Sequence, residues 1–484
     1  MGAKQPSLSV WSESDHLRRA LVQPPGPGMG RVNPSEIHWH GFTDVIDIPA
    51  ARFEHDILVD VLVRLGVEVH RLDRMLYEML EHIDQRERQE FLKHVLDLNP
   101  RCPPTVRERL HQMGAARLTM HLLHGITADG SLQEAVDGVR FHIKPLSNIA
   151  FLQDTAVVVG ERMVAGFMAS GLRAGEELLI EELVLRHPSF GSWGEGVFWV
   201  PPSEREARGE QNRSEAATTL EVRWAQLIAS QGAEQLNWTV ENLLLFAEDL
   251  NLRTGPPLSV EGGDLLMLSG QNRRCLMVGV GRRTSPDMVD LLADRMIGRE
   301  DGGVDCVLAV VLPEREDVRT LDTLLAAPHP EHVIAYNPVL CAPGMESARY
   351  YTMMRSGRRV RATAQRSLQE ALEVALGDDA PQVHSLPGDG VSVDDQVASE
   401  HAQWSGALNL LTVAPGIVIV FERADALLGL LSDELDYSIV DHRTLVAGAS
   451  FSGPTAITIP GGELSRAGGG PRSLVLPLVR ELQP

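Results

Sequence analysis

The chain has 484 residues, 43% of them hydrophobic, and a formal net charge of −22 at pH 7. This length allows a large core and suggests two or three domains, whereas the negative charge opposes non-specific binding to nucleic acid or anionic membranes. No apolar run reaches the roughly 18 residues that predict a membrane span, and the N-terminal stretch lacks the apolar centre of a signal peptide.

Four cysteines, Cys102, Cys275, Cys306 and Cys341, are scattered along the chain. Their spacing fits neither a disulfide framework nor a zinc site. We therefore expect a reduced, cytoplasmic protein with no metal centre. Cys275 and Cys306 lie in apolar, strand-like runs, which predicts that both pack in the core.

The N-terminal part begins with RRALVQPPG, which is typical of a short strand that ends in a turn. Residues 51–65 carry apolar side chains at three- and four-residue spacing, so they predict a helix, and a strand follows Gly66. Residues 75–127 are helical throughout, apart from a break at NPRCPP, and we interpret them as an all-helical insertion. Residues 1–74 and 128–484 then make up an α/β part.

Strand and helix patterns alternate after the insertion. Short apolar runs bounded by turn residues predict strands at TAVVVG, RCLMVGVG, CVLAVVLP, GIVIVF and TAITIP. Helices are predicted at SPDMVDLLADRM, SLQEALEVAL and ADALLGLLSDEL. This alternation indicates α/β layers. No repeat is visible in the sequence, although the order is compatible with a repeated strand–strand–helix–strand unit.

Two polar stretches, 201–221 and 377–401, are rich in Pro, Gly, Ser or charged residues and predict mobile loops. A basic run, Arg355 to Arg366, interrupts the acidic composition. It is most simply interpreted as a solvated face, and the alternative is a site for an anionic partner.

Charged residues stand near the turns of several strand-like segments. PLSNIAFLQD ends at Asp154, VEGGDLLML places Glu261 beside two glycines, VGVGRRTSP carries Arg283, and VRTLDTLL carries Asp322. Open α/β sheets bind ligands outside strand ends. Each acid alone is also compatible with a simple cap or turn.

The chain closes with GGGPRSLVLPLVREL, in which a glycine-rich turn precedes Ser473 and an apolar strand. Glycines of this kind allow the backbone to approach a ligand closely. Ser473 is therefore a candidate site residue.

Taken in order, these segments resemble arginine deiminase, a member of the guanidine-modifying pentein superfamily, over nearly the whole chain. PLSNIAFLQD is similar to the family's PLPNLxFTRD, RTLDT to MHLDT, and GVGRRTS to GxSERT. QWSGALNLLTVAPGIVI resembles QWxDGxNxLxxxPGVVV, and ELSRAGGGPRSLVLPLVRE resembles ELSRGRGGPRCMSMPLVRE. The resemblance implies a five-bladed α/β propeller that carries a helical insertion.

The family hydrolyses arginine to citrulline and ammonia without a cofactor. Two aspartates bind the guanidinium, a cysteine thiolate attacks it, a histidine moves protons, and a glutamate orients that histidine. The resemblance assigns the aspartates to Asp154 and Asp322 and the glutamate to Glu261. The remaining substrate-binding positions it implies are Arg283, Asn148 and Arg173.

The residues that make and break bonds are replaced. Ser473 stands where the family has its cysteine, and Thr320 stands where it has its histidine. A hydroxyl needs an adjacent base to attack, and threonine cannot supply one. Loss of a general base costs about 10²–10⁴-fold in rate, and loss of a nucleophile reaches roughly 10⁶-fold.

Further departures affect binding. Gly468, Gln153 and Gly175 replace family arginines, which weakens the expected anchor for an α-carboxylate, and Thr43 replaces an aspartate. Other candidates for chemistry are weaker. Cys341 follows a strand, His329 and His332 are expected on a loop surface, and His38 and His40 share a strand face without an evident third metal ligand.

Three carboxylates close together cannot all remain ionised and unpaired, so we expect a raised pKa or a bound cation. A guanidinium is the natural guest of such an acidic pocket. These observations favour a pseudoenzyme that binds a guanidinium compound or an arginine-bearing peptide, as a sensor or scaffold, with self-association implied by the resemblance. The alternatives are an active hydrolase and an enzyme of altered chemistry that uses Ser473 or a metal.

Overall fold

The computed structural model describes residues 8–128, 130–132, 139–190, 197–198, 258–298, 303–342, 344, 347–388, 392–448 and 451–482. The stretch 201–221, for which the sequence predicts a mobile loop, lies outside these ranges. No described helix combines the length and the apolar character that crossing a bilayer requires.

The α-helices are α1 (Ile48–Arg64), α2 (Leu72–His82), α3 (Gln85–Asp97), α4 (Pro104–Gln112), α5 (Ala115–His124), α6 (Leu152–Thr155), α7 (Ala174–Arg186), α8 (Pro286–Met296), α9 (Leu368–Leu376), α10 (Val393–Trp404), α11 (Asp425–Asp433) and α12 (His442–Val446).

The strands are β1 (His16–Val22), β2 (Glu68–Arg71), β3 (Ile126–Thr127), β4 (Phe141–Ile143), β5 (Ala156–Val159), β6 (Arg162–Ala165), β7 (Val197–Phe198), β8 (Leu265–Ser269), β9 (Arg274–Val280), β10 (Cys306–Val311), β11 (Leu325–His329), β12 (His332–Tyr336), β13 (Arg349–Ser356), β14 (Arg359–Gln365), β15 (Gln382–Leu386), β16 (Leu411–Ala414), β17 (Ile417–Phe421), β18 (Ser438–Asp441), β19 (Thr455–Ile459) and β20 (Val475–Glu481).

The described residues contain five sheets that share one connection pattern. In each sheet a central strand runs antiparallel to one neighbour and parallel to the other; the central strands are β1, β6, β9, β12 and β17. A helix lies in each parallel connection, as such crossovers require; these helices are α1, α7, α8, α9 and α11. The strand–strand–helix–strand unit is therefore present five times, although the sequence shows no repeat.

Three additions extend this pattern. The hairpin β13–β14 joins the sheet of β8, β9 and β10, and β18 extends the sheet of β16, β17 and β19. β3 and β4 form a separate two-stranded ribbon. The basic run Arg355–Arg366 falls on β13 and β14, and most of the β14 side chains are exposed. This exposure is compatible with a solvated face and equally with a site for an anionic partner.

The sequence predicts the main elements correctly. Its apolar runs are found as β5, β9, β10, β17 and β19, whose central residues are buried. Polar side chains cap several helices: Ser285 accepts from the Met288 amide at the start of α8, and Ser367 accepts from the Glu370 amide at the start of α9. Cys275 and Cys306 are fully buried, as expected.

The helical insertion consists of α2 to α5. The sequence predicts residues 75–127, whereas the helices run from Leu72 to His124, because Ile126 and Thr127 form β3. The helices do not have a core of their own. Leu76 and Phe91 belong to the same buried cluster as Val158 of β5 and Leu476 of β20. The insertion is therefore packed onto the α/β part.

The prediction of a mobile loop at 377–401 is wrong. This stretch contains β15, which pairs in parallel with β12, and most of α10. The start of α10 is fixed because Ser392 and Asp395 cap each other reciprocally. The polar composition that suggests a loop instead reflects elements with mostly solvent-facing side chains.

Candidate functional residues lie just before the first strand of each of the five repeated units. Asp154 lies before β5, Glu261 before β8, Thr320 and Asp322 before β11, Asn409 before β16 and Ser473 before β20. Because the five strands begin at these positions, the repeated unit itself supplies the candidate functional residues.

Candidate functional site

A cavity of about 40 Å³ lies where these strand starts meet. The polar residues that line it are His40, Asn148, Asp154, Arg173, Arg283, Arg319, Thr320, Thr323 and Ser473. Gly41, Gly468 and Gly469 contribute backbone, and Phe151 contributes an aromatic ring. The sequence predictions of Asn148, Asp154, Arg173, Arg283, Thr320 and Ser473 thus fall on one cavity.

The backbone of Ser473 is held by residues of two other turns, Asn409 and Gln153. The Asn409 side-chain oxygen accepts hydrogen bonds from the Ser473 amide at 2.9 Å and from the Gly470 amide at 3.0 Å. The Ser473 carbonyl accepts from the Gln153 amide at 3.1 Å. The serine hydroxyl lies 3.5 Å from Asp322 Oδ2. These bonds fix the loop and leave the hydroxyl at the cavity wall.

Asp322 lies on the 3-10 turn Leu321–Thr323, and Thr320 directly precedes this turn. Thr320 Oγ1 donates to Asp322 Oδ1 at 2.6 Å, and Arg472 Nη1 donates to Asp322 Oδ2 at 2.9 Å. Burial raises the pKa of Asp322, and the nearby Arg472 guanidinium opposes this rise. Both carboxylate oxygens therefore already have partners within the chain.

Arg173 joins three acids. Its Nη1 donates to Asp154 Oδ2 at 2.8 Å, its Nε donates to Glu176 Oε2 at 2.8 Å, and Nη1 lies 3.8 Å from Glu261 Oε2. Burial alone would lower the pKa of Arg173, but the three carboxylates outweigh it and the pKa is raised. Arg283 Nη1 donates to Glu261 Oε2 at 2.6 Å.

The expected acidic pocket is not what the structure contains. Of the three predicted acids, Asp154 alone lines the cavity; Glu261 and Asp322 are fully buried and paired with Arg173, Arg283 and Arg472. A buried carboxylate is strongly disfavoured without a partner. The cation that the sequence predicts as a ligand is therefore supplied largely by the chain's own arginines.

Several residues of this network escape the sequence prediction. Arg472 donates twice to the carboxylate of Glu13, at 3.1 and 2.9 Å, and once to the Leu265 carbonyl at 2.8 Å. Arg472 directly precedes Ser473, and Glu176 is the last residue of the RAGE segment. Both therefore lie in or beside motifs that can be recognised in the sequence. No sequence motif indicates that Glu13 belongs to this network, because it lies 459 residues from Arg472 in the chain.

The glycines of EGGD are explained by close packing. A Cβ on Gly262 would lie 1.8 Å from the Gln153 carbonyl oxygen, and a Cβ on Gly263 would lie 3.0 Å from Asp322 Oδ1. Only glycine allows three turns to approach so closely. These residues therefore bring the Asp154, Glu261 and Asp322 turns together.

Asp264, the last residue of EGGD, carries a strongly perturbed carboxyl group. It accepts from Thr284 Oγ1 at 2.7 Å and from the Leu321 amide at 2.9 Å. Burial raises its pKa from 3.8 to about 8, in spite of these two bonds. At neutral pH the native protein therefore holds a proton here that the unfolded chain releases.

This proton predicts a pH dependence of stability. Because the native state binds more protons than the unfolded state between pH 3.8 and about 8, stability attributable to Asp264 falls as pH rises, by about 1.4 kcal/mol per pH unit within that window. Asp264→Asn, which carries no titrating proton, is expected to flatten the curve of unfolding free energy between pH 6 and pH 8. The matched control is Asp60→Asn, at an exposed ion pair with Arg64; equal slopes for all three proteins would contradict the prediction.

One group among the described residues could hold a metal ion. Ligand atoms of His329, Glu331 and His332 lie within 4.8 Å of one another at the β11–β12 turn, and none of the three lines the cavity. His40 does line it, but its Nδ1 is bonded to Ser147 Oγ at 2.7 Å. Cys341 is exposed and is not a cavity residue.

In the comparison with protein families, residues 41–208 and 242–480 match the family model described as arginine deiminase. Curated relatives include the arginine deiminases of Latilactobacillus sakei and of Listeria monocytogenes serotype 4b. Each is 24% identical over 490 residues, with 98% of both chains covered.

Solved structures with a similar chain course include SxtG, an amidinotransferase from Microseira wollei, with 12% identity and a TM-score of 0.48. The inosamine-phosphate amidinotransferase StrB1 from Streptomyces griseus has 13% identity and a TM-score of 0.47. In both comparisons 99% of each chain is covered.

Proposed function

Because this chain belongs to the arginine deiminase family, we propose that it is a member that does not hydrolyse arginine and that serves as a binding protein, either a sensor or a scaffold. One observation carries the proposal. The motif resemblance assigns Ser473 and Thr320 to the positions of the family's cysteine and histidine, and both residues line the cavity and hydrogen-bond to Asp322.

The hydrogen bonds around Ser473 support the loss of chemistry. A serine nucleophile needs a base that accepts its proton. Thr320 is not such a base, and its hydroxyl donates a hydrogen bond to Asp322. Asp322 meets the Ser473 hydroxyl only at 3.5 Å, whereas its Oδ1 accepts from Thr320 at 2.6 Å and its Oδ2 accepts from Arg472 at 2.9 Å, so the serine is its weakest partner. The imidazole on the cavity wall, His40, is bonded to Ser147, and burial lowers its pKa. No activated nucleophile is evident among the described residues.

An enzyme that uses a hard metal ion in this pocket has less support. Such an ion binds carboxylate oxygens that are free to coordinate it. Glu261 and Asp322 are fully buried and already paired with arginines. A metal would have to displace these internal ion pairs.

We also infer that the five sheets are the blades of a pentein-type propeller around the cavity. Two observations support this arrangement. The same strand–strand–helix–strand unit occurs in each sheet, and the residues that precede the first strand of each unit meet at one place. The cytoplasmic location and self-association that the sequence favours stay predictions.

A citrulline assay tests the proposed function. Purified protein incubated with L-arginine is expected to form no citrulline above a blank without protein, because the nucleophile and base are both absent, and a Ser473→Ala variant is assayed beside it. The assay is repeated with EDTA and with added Mg²⁺, Mn²⁺ or Zn²⁺, which covers the metal-assisted alternative. Citrulline formation above the blank would establish an active hydrolase and overturn the proposal, and its loss in Ser473→Ala would show that Ser473 takes part.

A further inference from the structure

Three histidines meet on one face of the sheet that β11, β12 and β15 form. His329 ends β11 and His332 begins β12, and the two residues lie opposite each other across the turn of the hairpin. His384 lies on β15, in parallel register with Ile334 of β12. Because alternate residues of a strand share a face, His384 projects to the same side as His332. Each of three neighbouring strands therefore supplies one imidazole to this face.

The three rings are close together. The ring centroids of His329 and His332 lie 5.5 Å apart, and those of His332 and His384 lie 5.1 Å apart. His384 Nε2 lies 3.1 Å from His332 Nδ1, within hydrogen-bonding distance. This bond orients the His332 ring and occupies one of its two nitrogens, which leaves the other nitrogen for a further partner.

The carboxylate of Glu331 completes the group. Glu331 lies in the turn between the two strands, and its amide donates to His329 Nδ1 at 3.2 Å. Its Oε2 lies 4.0 Å from the same nitrogen. Ligand atoms of His329, Glu331 and His332 all lie within 4.8 Å of one another. Two ligand atoms of a tetrahedral zinc ion are about 3.3 Å apart, so small side-chain rotations bring the three onto one ion.

The group is accessible to an ion from solvent. The side chain of Glu331 is 79% exposed and that of His329 is 30% exposed, so both can rotate without opening the core. Burial lowers the pKa of His329 and of His384. Since a neutral imidazole offers a lone pair and a protonated one does not, these two rings are in the form that metal binding requires at neutral pH.

The donor atoms select a class of ion. Imidazole nitrogens suit Zn²⁺, Cu²⁺ and Ni²⁺, whereas Mg²⁺ and Ca²⁺ prefer ligand sets made of oxygen. Two imidazoles and one carboxylate are an established zinc donor set, and three protein ligands leave one coordination position for water. The chemistry of the group therefore favours a divalent transition metal over an alkaline-earth ion.

This group lies apart from the cavity. Strand β11 begins shortly after the Asp322 turn, and His329 stands at its far end, a distance along the strand of about 13 Å at roughly 3.3 Å per residue. None of the four residues of the group lines the cavity. An ion held here joins the ends of two strands and takes no part in chemistry at the cavity.

We propose that His329, Glu331 and His332 bind a divalent transition-metal ion of the Zn²⁺ class, and that His384 orients His332 through their hydrogen bond. The bound ion fastens the β11–β12 turn. This inference goes beyond the proposed function and does not depend on it, because the site shares no residue with the cavity.

Calorimetric titration of the full-length chain, untagged and freed of metal with EDTA, tests the inference. Zn²⁺ and Ni²⁺ are expected to fill a first site at one ion per chain, and Mg²⁺ and Ca²⁺ are expected to give no heat of binding. Zn²⁺ should also raise the melting temperature, because a ligand that binds only the native state stabilises it. Absence of Zn²⁺ binding, or Mg²⁺ binding as tight as that of Zn²⁺, would overturn the inference.

Glu331→Gln and His332→Asn locate the site. Each variant removes one ligand and is expected to weaken Zn²⁺ binding at least roughly tenfold, since loss even of an outer-shell partner costs about 10–100-fold. Because the Glu331 side chain is 79% exposed, Glu331→Gln should keep the melting temperature of the metal-free wild type, which separates loss of a ligand from loss of the fold. Wild-type affinity for Zn²⁺ in either variant would overturn the three-ligand site.

His111→Asn and Cys341→Ser are the matched controls. His111 is an exposed histidine of α4 and Cys341 is an exposed thiol, and both lie outside the group. Both controls should bind Zn²⁺ as the wild type does. A loss of affinity in either control as large as that in His332→Asn would place the ion elsewhere and remove the inference. The citrulline assay is independent of these results, so failure of the metal site and failure of the proposed function are distinguishable.

Discussion

Replacement of Arg472 with methionine is expected to destabilise the protein by about 3–5 kcal/mol, because it leaves buried charges without a partner. Arg472 is 4% exposed and neutralises both Glu13 and Asp322. It also donates to the Leu265 carbonyl. Urea unfolding at neutral pH measures the loss.

The matched control is Arg18→Met. Arg18 pairs with Glu481 at 2.8 Å, but its side chain is 49% exposed, and ion pairs of this kind contribute about 0–1 kcal/mol. Equal losses for the two variants would show that Arg472 is not the centre of a buried network. Because protonation removes the charges left on Glu13 and Asp322, the deficit of Arg472→Met should also shrink in acid.

The double variant Thr320→His, Ser473→Cys is expected to release no citrulline from L-arginine, although it restores the nucleophile and the base. Histidine is larger than threonine, so at position 320 it occupies part of a cavity of only about 40 Å³. The Arg319 guanidinium still fills the space beside Gly468. Substrate binding, and not only chemistry, must be restored.

One further change tests that reasoning. Adding Arg319→Met to the double variant is expected to produce citrulline above background, because it removes the guanidinium that fills the space beside Gly468. The single variants Thr320→His and Ser473→Cys serve as controls. Rapid turnover by the double variant alone would show that the pocket already accepts arginine.

Much of the fold follows from local pattern. Runs such as TAVVVG and CVLAVVLP predict strands correctly, because both faces of these strands are buried and nearly every side chain is apolar. β15 escapes prediction for the opposite reason. Its sequence, QVHSL, buries only Leu386 fully, so it shows no apolar run within a polar stretch.

The candidate site is predictable only in part. Asp154, Glu261 and Asp322 stand in recognisable motifs at strand starts, and the structure gathers them. Their charge balance depends on partners that no local pattern identifies, such as Glu13 with Arg472. Arg319 looks like an ordinary substitution in RTLDT, and its relation to Gly468 becomes visible only when the two loops are seen side by side.

The pairing of β1 with β20 joins residues from opposite ends of the chain: Arg18 and Glu481, 463 residues apart, form an ion pair across it. During synthesis on a ribosome, β1 emerges early and must wait for almost the entire remaining chain before its antiparallel partner exists. Contacts of such large sequence separation form slowly. Since Ser473 and Arg472 immediately precede β20, the pocket is completed only after these residues have been translated, and a nascent chain does not present a finished binding site to any ligand before then.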